Sequence, residues 1–189
     1  MELVLEFAAF WVVIYLIGAT VMFVVCLGLI QINQRHPERK IQKRPQTHDA
    51  KEDILSSLKQ IAVTAFCLSV GLFSQWKGWT IAPVDLSWWS FPLFFIVSLV
   101  LHDAWFYFGH RLLHTKALYR LHKPHHITVT PSVWSNDAGS TVDTLFAHSY
   151  YALVLFVIPM PALAFIAHRL FDQISAIIGH SGYEYFAGP

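Results

Sequence analysis

His110-Arg-Leu-Leu-His114 and His122-Lys-Pro-His125-His126 follow directly on a hydrophobic stretch, residues 86–108, long enough to cross a membrane. Five of the chain's 11 histidines fall between positions 110 and 126, several-fold more than an even spread would give. Neutral imidazole is the commonest metal ligand. A membrane segment that gathers imidazoles at the end of a hydrophobic helix is most simply read as holding a metal there. Any one of these histidines has a blander reading, as an interfacial or hydrogen-bonded side chain. Five together favour the metal.

Outward from this segment, the chain is 55% hydrophobic and only 13% charged, against about 25% charged in an ordinary soluble domain. A first apolar run spans residues 3–32, interrupted only by Glu6. It exceeds the ~20 residues that cross a bilayer core and is too long for a signal-peptide core. Further runs cover residues 61–76, 86–108 and 142–178. Pro159-Met160-Pro161 breaks the last one by removing backbone donors. A hairpin is expected there, one arm reaching about Ile158 and the other starting near Ala162. The expected fold is therefore all-α: an integral membrane bundle of about four transmembrane helices plus a cytoplasmic histidine-rich helical cap. Cys26 and Cys67 lie inside apolar runs and read as small buried hydrophobes, not a disulfide. No glycine-rich phosphate loop or CxxC pair is present. The basic residues are not interleaved with aromatics, so no nucleic-acid partner is expected.

Charge orients the spans. Arg35, Arg39, Lys40, Lys43, Arg44, Lys51 and Lys59 lie between the first two runs, whereas the loop between the second and third offers only Lys77. The positive-inside rule places residues 33–59 and the histidine segment in the cytoplasm. Three crossings from an outside N-terminus agree, and the hairpin returns His180 to the same face. Trp76, Trp79, Trp88 and Trp89 bracket the outer loop, where interfacial tryptophans belong.

Asp103, Tyr107, His110 and His114 follow steps of four, three and four, so they share one stripe of a helix over residues 91–116. Metal-bound histidine usually gives its second N–H to a carboxylate or carbonyl, which makes Asp103 and Tyr107 candidates for that outer role. Asp103 reads equally as an interfacial acid paired with a basic residue. Pro124 disfavours helical geometry at Lys123 and is expected to open a new helix with His125 and His126 in its first turn. His180, in Gly179-His180-Ser181-Gly182-Tyr183, is a sixth ligand candidate, and His148 a reserve. The deep histidines, His102, His148 and His168, are expected to be scattered; His36 and His48 belong to the solvated basic loop. Two alternatives stay open: a bis-histidine haem protein, which would use only two of these rings, and a membrane metal-binding or transport protein.

Three segments carry a resemblance: Asp103-Ala-Trp-Phe-Tyr107-Phe-Gly-His110-Arg111-Leu-Leu-His114, His122-Lys-Pro-His125-His126, and His180-Ser-Gly-Tyr183. Together they resemble the fatty acid hydroxylase and sterol desaturase superfamily of membrane enzymes, over about residues 101–188. The resemblance implies two non-haem iron ions held by His110, His114, His122, His125, His126 and His180, with O2 as co-substrate. It implies hydroxylation or desaturation of a membrane lipid, sterol or fatty acyl, with electrons from a cytoplasmic ferredoxin or cytochrome b5-like donor. The setting would be a bacterial inner membrane or the endoplasmic reticulum. Members usually carry a further His-x-x-His-His box downstream, whereas this sequence stops at Pro189, so a C-terminally truncated histidine-box region is expected over residues 86–189. Residues 1–85 supply the N-terminal transmembrane helices and basic loop. Ser140-Thr141-Val142-Asp143 stands where members often place His-Pro-x-Glu, and Asp143 reads as a substitute acid for outer-shell or packing duty.

Overall fold

The computed structural model describes residues 1–44, 49–126 and 130–186, with the backbone alone for Pro124 and His125. His48 lies outside the described residues, as does the His125 side chain. Among the described residues six α-helices follow in order: α1 (Glu2–Arg35), α2 (Ala50–Trp76), α3 (Ser90–Leu113), α4 (Tyr119–His122), α5 (Thr141–Leu153) and α6 (Ala162–Gly179). Short 3-10 turns cover Pro37–Arg39, Lys123–His126 and Val154–Phe156. Helices α1, α2, α3 and α6 are long and apolar enough to cross a membrane. At about 1.5 Å per residue, α5 rises only some 20 Å, so the hairpin has one short arm. It continues as the 3-10 turn and reverses through Pro159-Met160-Pro161, with Pro161 at the N-cap of α6. Gln75 Nε2 and the Val84 amide fasten that reversal by donating to the Met160 and Pro159 carbonyls, both at 2.9 Å.

Helices α1 and α3 turn aliphatic and aromatic side chains outward, including Val4, Leu5, Val12, Leu16, Ile96 and Val100, as suits an apolar solvent. Helix α2 is the enclosed one. Its buried face carries Ser57, Gln60, Thr64, Ser69, Gly71 and Ser74 among larger residues. Small residues let helix backbones approach where lipid gives no hydrophobic drive to pack. Gly71 is the extreme case, since a Cβ there would lie 2.2 Å from the Tyr151 carbonyl oxygen of α5. Cys67, Leu68, Leu72, Tyr151, Leu155 and Phe165 build the core around this crossing. Both cysteines are free and buried.

Polar capping concentrates at one end. Ser57 Oγ donates to the Trp134 carbonyl (2.8 Å), Gln60 Nε2 to that of Gly139 (2.9 Å), and Ser132 Oγ to Asp53 Oδ2 (2.8 Å). The Tyr185 hydroxyl donates to Asn33 Oδ1 (2.8 Å), and the Glu184 amide to the Arg39 carbonyl (3.0 Å). The basic segment after α1 and the segment after α6 are thereby stitched to one cap, over the helix ends that carry the histidines. At the opposite end Trp76, Trp79 and Trp88 are exposed, and the Lys77 ammonium, paired with Glu6, sits 4.3 Å from the Trp76 ring centroid.

Two local expectations shift. Helix α3 stops at Leu113, with His114 as its C-cap, yet the His114 amide still bonds the His110 carbonyl at 3.1 Å, so the two rings remain one turn apart. Pro124 opens no new α-helix. Helix α4 runs directly into the 3-10 turn Lys123–His126, whose tighter i→i+3 winding accommodates a residue with no backbone donor.

Candidate metal centre

Four rings converge at the membrane-proximal edge of the cap. His110 comes from the last turn of α3, His114 from its C-cap, His122 from the end of α4, and His126 from the 3-10 turn. Their centroids lie 4.8 Å apart for His110–His114, 4.6 Å for His110–His122 and His122–His126, 4.7 Å for His114–His122, and 5.1 Å for His114–His126. His110 and His114 face each other through Nε2 atoms 3.1 Å apart; His122 and His126 do so at 2.9 Å. One nitrogen from each of His110, His114 and His122 lies within 4.8 Å of the other two. Imidazole nitrogens bond zinc-like cations at about 2.0–2.1 Å, which sets them slightly over 3 Å apart around one ion. The donor set could therefore hold a metal ion.

His122 is oriented from behind. Its Nδ1 donates to Asp143 Oδ1 at 2.6 Å, the ring being 1% exposed. This is the carboxylate–histidine pairing that fixes a ligand's tautomer and leaves Nε2 as the lone-pair donor. Asp143 is itself placed by the N-terminus of α5, where Ser140 Oγ accepts from the Val142 and Asp143 amides at 3.1 and 3.4 Å, and a carboxylate suits that end of the helix dipole. At His126, desolvation first and then the charges of His122 and His114 hold the imidazole below its ordinary range.

The remaining expected residues go elsewhere. The Tyr107 hydroxyl accepts from Arg111 at 2.9 Å on an exposed face. A cavity of about 110 Å³ adjoins the cluster and is lined by Phe106, His110, His122, Asp137, Asp143 and His148. Beside it a cavity of about 370 Å³ is lined by His102, Asp103, Asp137, His148, Asp172 and His180, among others. Asp103 and His180 thus meet in the second cavity, and His180 stands apart from the ring of four. Phe106, Asp137 and His148 line both. Burial pushes the Asp137 carboxyl above its usual range, and its Oδ2 has no hydrogen-bond partner among the described residues. Nothing in Ser135-Asn136-Asp137 signals this placement, which depends on how the cap folds over α2.

The deep histidines are not scattered. His102 lies 5.2 Å from His168 and 6.4 Å from His148, ring to ring. Tyr151 sits beside them, its ring 5.0 Å from His102 and 5.8 Å from each of the others. The Tyr151 hydroxyl and Arg169 both donate to Asp172 Oδ2, at 3.1 and 3.2 Å, and His168 Nδ1 lies 2.8 Å from Ser98 Oγ. Distance along single helices hid this grouping. The usable signal was that ionisable groups in apolar spans seek one another, and α3, α5 and α6 each carry some.

The fatty acid hydroxylase family profile matches residues 95–189, which hold every histidine of the cluster and of the second cavity. Among curated relatives, chicken methylsterol monooxygenase 1 is 36% identical over 48% of this chain and 31% of its own length. Human lathosterol oxidase is 29% identical over 61% of this chain and 41% of its own. The Delta(7)-sterol 5(6)-desaturase of Aspergillus fumigatus is 24% identical over 94% and 49%. The chain thus spans less than half the length of these relatives. No solved structure matches it. With half of its residues under the family profile, and that half carrying the converging histidines, the chain belongs to the fatty acid hydroxylase family.

Proposed function

We propose that this chain is the histidine-box part of a membrane oxidoreductase that uses O2 and histidine-held, non-haem iron to hydroxylate or desaturate a lipid. The observation that carries the reading is the convergence of four imidazoles with one of them anchored by Asp143. Reduced iron bound there would supply the oxidant that no side chain provides for attack on an unactivated C–H bond; the protein's tasks are ligation, orientation and exclusion of competing reactions. His110, His114, His122 and His126 hold the ion and keep little negative charge near it. His125, whose side chain is outside the described residues, and His180 remain ligands implied by the family pattern. Phe106 and Phe146 give the adjoining cavity an apolar wall that limits water.

Substrate reaches such a site from the bilayer. Leu101, Trp105, Phe108 and Leu112 of α3 form an apolar groove with Phe146 just below the cluster, suited to an acyl tail or a sterol ring system. The names of the relatives favour a sterol-type lipid. By the positive-inside rule the cap faces the cytoplasm, where a ferredoxin or cytochrome b5-like donor would dock near the basic segment. Iron content and lipid oxidation measured on the protein in mild detergent test the reading. His122→Ala should abolish retention of iron by the cluster along with any turnover; iron held undiminished by that variant would overturn it. A transport reading gains one observation, the gathering of His102, His148 and His168 inside the bundle. It predicts metal uptake by liposomes that carry the protein. A bis-histidine haem is disfavoured because facing Nε2 atoms about 3 Å apart leave no room for a porphyrin between them.

A further inference from the structure

Another cavity lies where three chain segments meet at the capped end of the bundle. It holds about 270 Å³ and is lined by Lys40, Gln42, Thr130, Ser181, Gly182 and Tyr183, among others, and by no histidine. Backbone bonds clasp its walls. An antiparallel bridge joins Lys40 to Tyr183, the Ile41 amide donates to the Gly182 carbonyl at 3.1 Å, and the Glu184 amide to that of Arg39 at 3.0 Å. Gly182 has φ +79° and packs so near Pro131 that a Cβ would lie 3.0 Å from the Pro131 carbonyl oxygen. Ser181 Oγ donates to the Ile178 carbonyl at 2.8 Å and accepts from the Tyr183 amide at 3.3 Å. The cavity is thus preformed.

Its chemistry selects an anion. Lys40, Gln42, Thr130 and Tyr183 offer an ammonium, an amide and two hydroxyls, and no carboxylate lines the cavity. Thr130 is 5% exposed and its hydroxyl makes no hydrogen bond among the described residues. Lys40, Lys43 and Arg44 have no ion pair among those residues, whereas Glu38 is engaged with His36 at 3.1 Å. Position selects the source. The walls begin within a few residues of the C-termini of α1 and α6, two helices long enough to span. No residue of either helix lines the cavity, so their negative dipole ends, which act within the last turn, stay outside it. Arg35, Arg39, Lys40, Lys43 and Arg44 follow the first span directly, and such a run attracts anionic lipid. Ile41, between Lys40 and Gln42, and Phe186, just beyond Tyr183, are 63% and 88% exposed. Apolar side chains set among cations enter the boundary between headgroups and acyl chains.

We propose that this cavity seats the phosphate headgroup of an anionic phospholipid from the leaflet at the capped end of the bundle. Lys40 supplies the counter-charge. Gln42, Thr130 and Tyr183 supply hydrogen bonds, and Ile41 and Phe186 hold the clasp at the membrane surface. A seated headgroup ties together the segments after α1, before α5 and after α6, all of which belong to the cap. It differs from diffuse attraction in its dependence on uncharged donors: a diffuse field responds to the number of cations, a seat also to Thr130. The seat needs no metal, so its failure and that of the iron reading are separate.

The test is a titration of the full chain, in nonionic detergent, with dioctanoyl phosphatidylglycerol or dioctanoyl phosphatidylcholine, the bound lipid counted by native mass spectrometry. The parent should retain the phosphatidylglycerol and release the phosphatidylcholine. Thr130→Val, which alters no charge, should weaken that binding about tenfold, the effect of one hydrogen bond to a charged acceptor. Lys40→Gln should weaken it at least as much. Lys51→Gln makes the same charge change in the first turn of α2, and should weaken binding by no more than the about fivefold of diffuse attraction. Tyr183→Phe is a second uncharged probe, for the case that Thr130→Val does not elute from gel filtration like the parent. Equal losses in Lys40→Gln and Lys51→Gln, with the uncharged variants unaltered, overturn the seat and leave a diffuse basic surface. Equal retention of the two lipids overturns it as well. Inorganic phosphate that displaces phosphatidylglycerol at equal concentration overturns the assignment to a lipid and makes the occupant a soluble phosphate.

Discussion

Asp143→Ala removes a carboxylate that orients a ring of the histidine cluster. His122 is 1% exposed, Asp143 is 16% exposed, and the Nδ1–Oδ1 distance is 2.6 Å. A short bond to an ionised acceptor in such surroundings contributes about 1.5–3 kcal/mol. Outer partners of ligating histidines, when removed, weaken metal binding about 10- to 100-fold, which corresponds to about 1.4–2.7 kcal/mol. The two ranges coincide because the same bond does both things, fixing the tautomer and holding the ring plane. Asp143→Ala should therefore weaken cation binding 10- to 100-fold with His110, His114 and His126 untouched. Asp143→Asn, which can still accept through its amide oxygen but as a neutral group, should fall between. The assay is competition for Fe2+ or Zn2+ against a chelator of known affinity, in detergent and above the imidazole titration range. An unchanged Kd in Asp143→Ala, with helix content intact, would refute the idea that Asp143 acts through His122.

Three further outcomes follow from the packing and the site. Gly71→Ala forces a methyl to within 2.2 Å of the Tyr151 carbonyl; overpacking of this kind costs about 1–3 kcal/mol, and thermal melts in detergent should show it as a lowered Tm. Arg169→Met leaves the partly buried Asp172 without its cation, a change expected to destabilise the bundle, by less than the about 3–5 kcal/mol of a fully buried pair, whereas Arg169→Met combined with Asp172→Leu should recover much of that loss. Protons compete with the cation for imidazole nitrogen, so metal retention should fall as pH drops. Equilibrium dialysis of the protein against the cation over a range of pH checks this; retention that does not fall on acidification would count against imidazole ligation.

The helices were legible because a bilayer imposes one simple rule on a span, and the hydropathy runs and the Pro159-Met160-Pro161 break obey it. The cluster was legible because its members are neighbours along the chain: one helical turn joins His110 to His114, and a short turn joins His122 to His126. Local spacing fails wherever the decisive neighbour lies on another helix. Asp103 and Tyr107 share a stripe with His110, yet Tyr107 finds Arg111 one turn along, and Asp103 faces a cavity shared with α6. His180, the C-cap of α6, lines the second cavity with Asp103 and not the one beside the four rings, which its spacing along α6 alone does not decide. Asp137 had no signature at all; hydrogen bonds between α2 and the cap loop, among them those of Ser57, Gln60 and Ser132, hold the segment that carries it. Periodicity reports which face a residue takes on its own helix. The pairing of faces is a property of packing, and in this bundle packing rests on close approaches such as Gly71 against Tyr151, where a missing Cβ lets α2 approach α5, the helix that carries both Asp143 and His148.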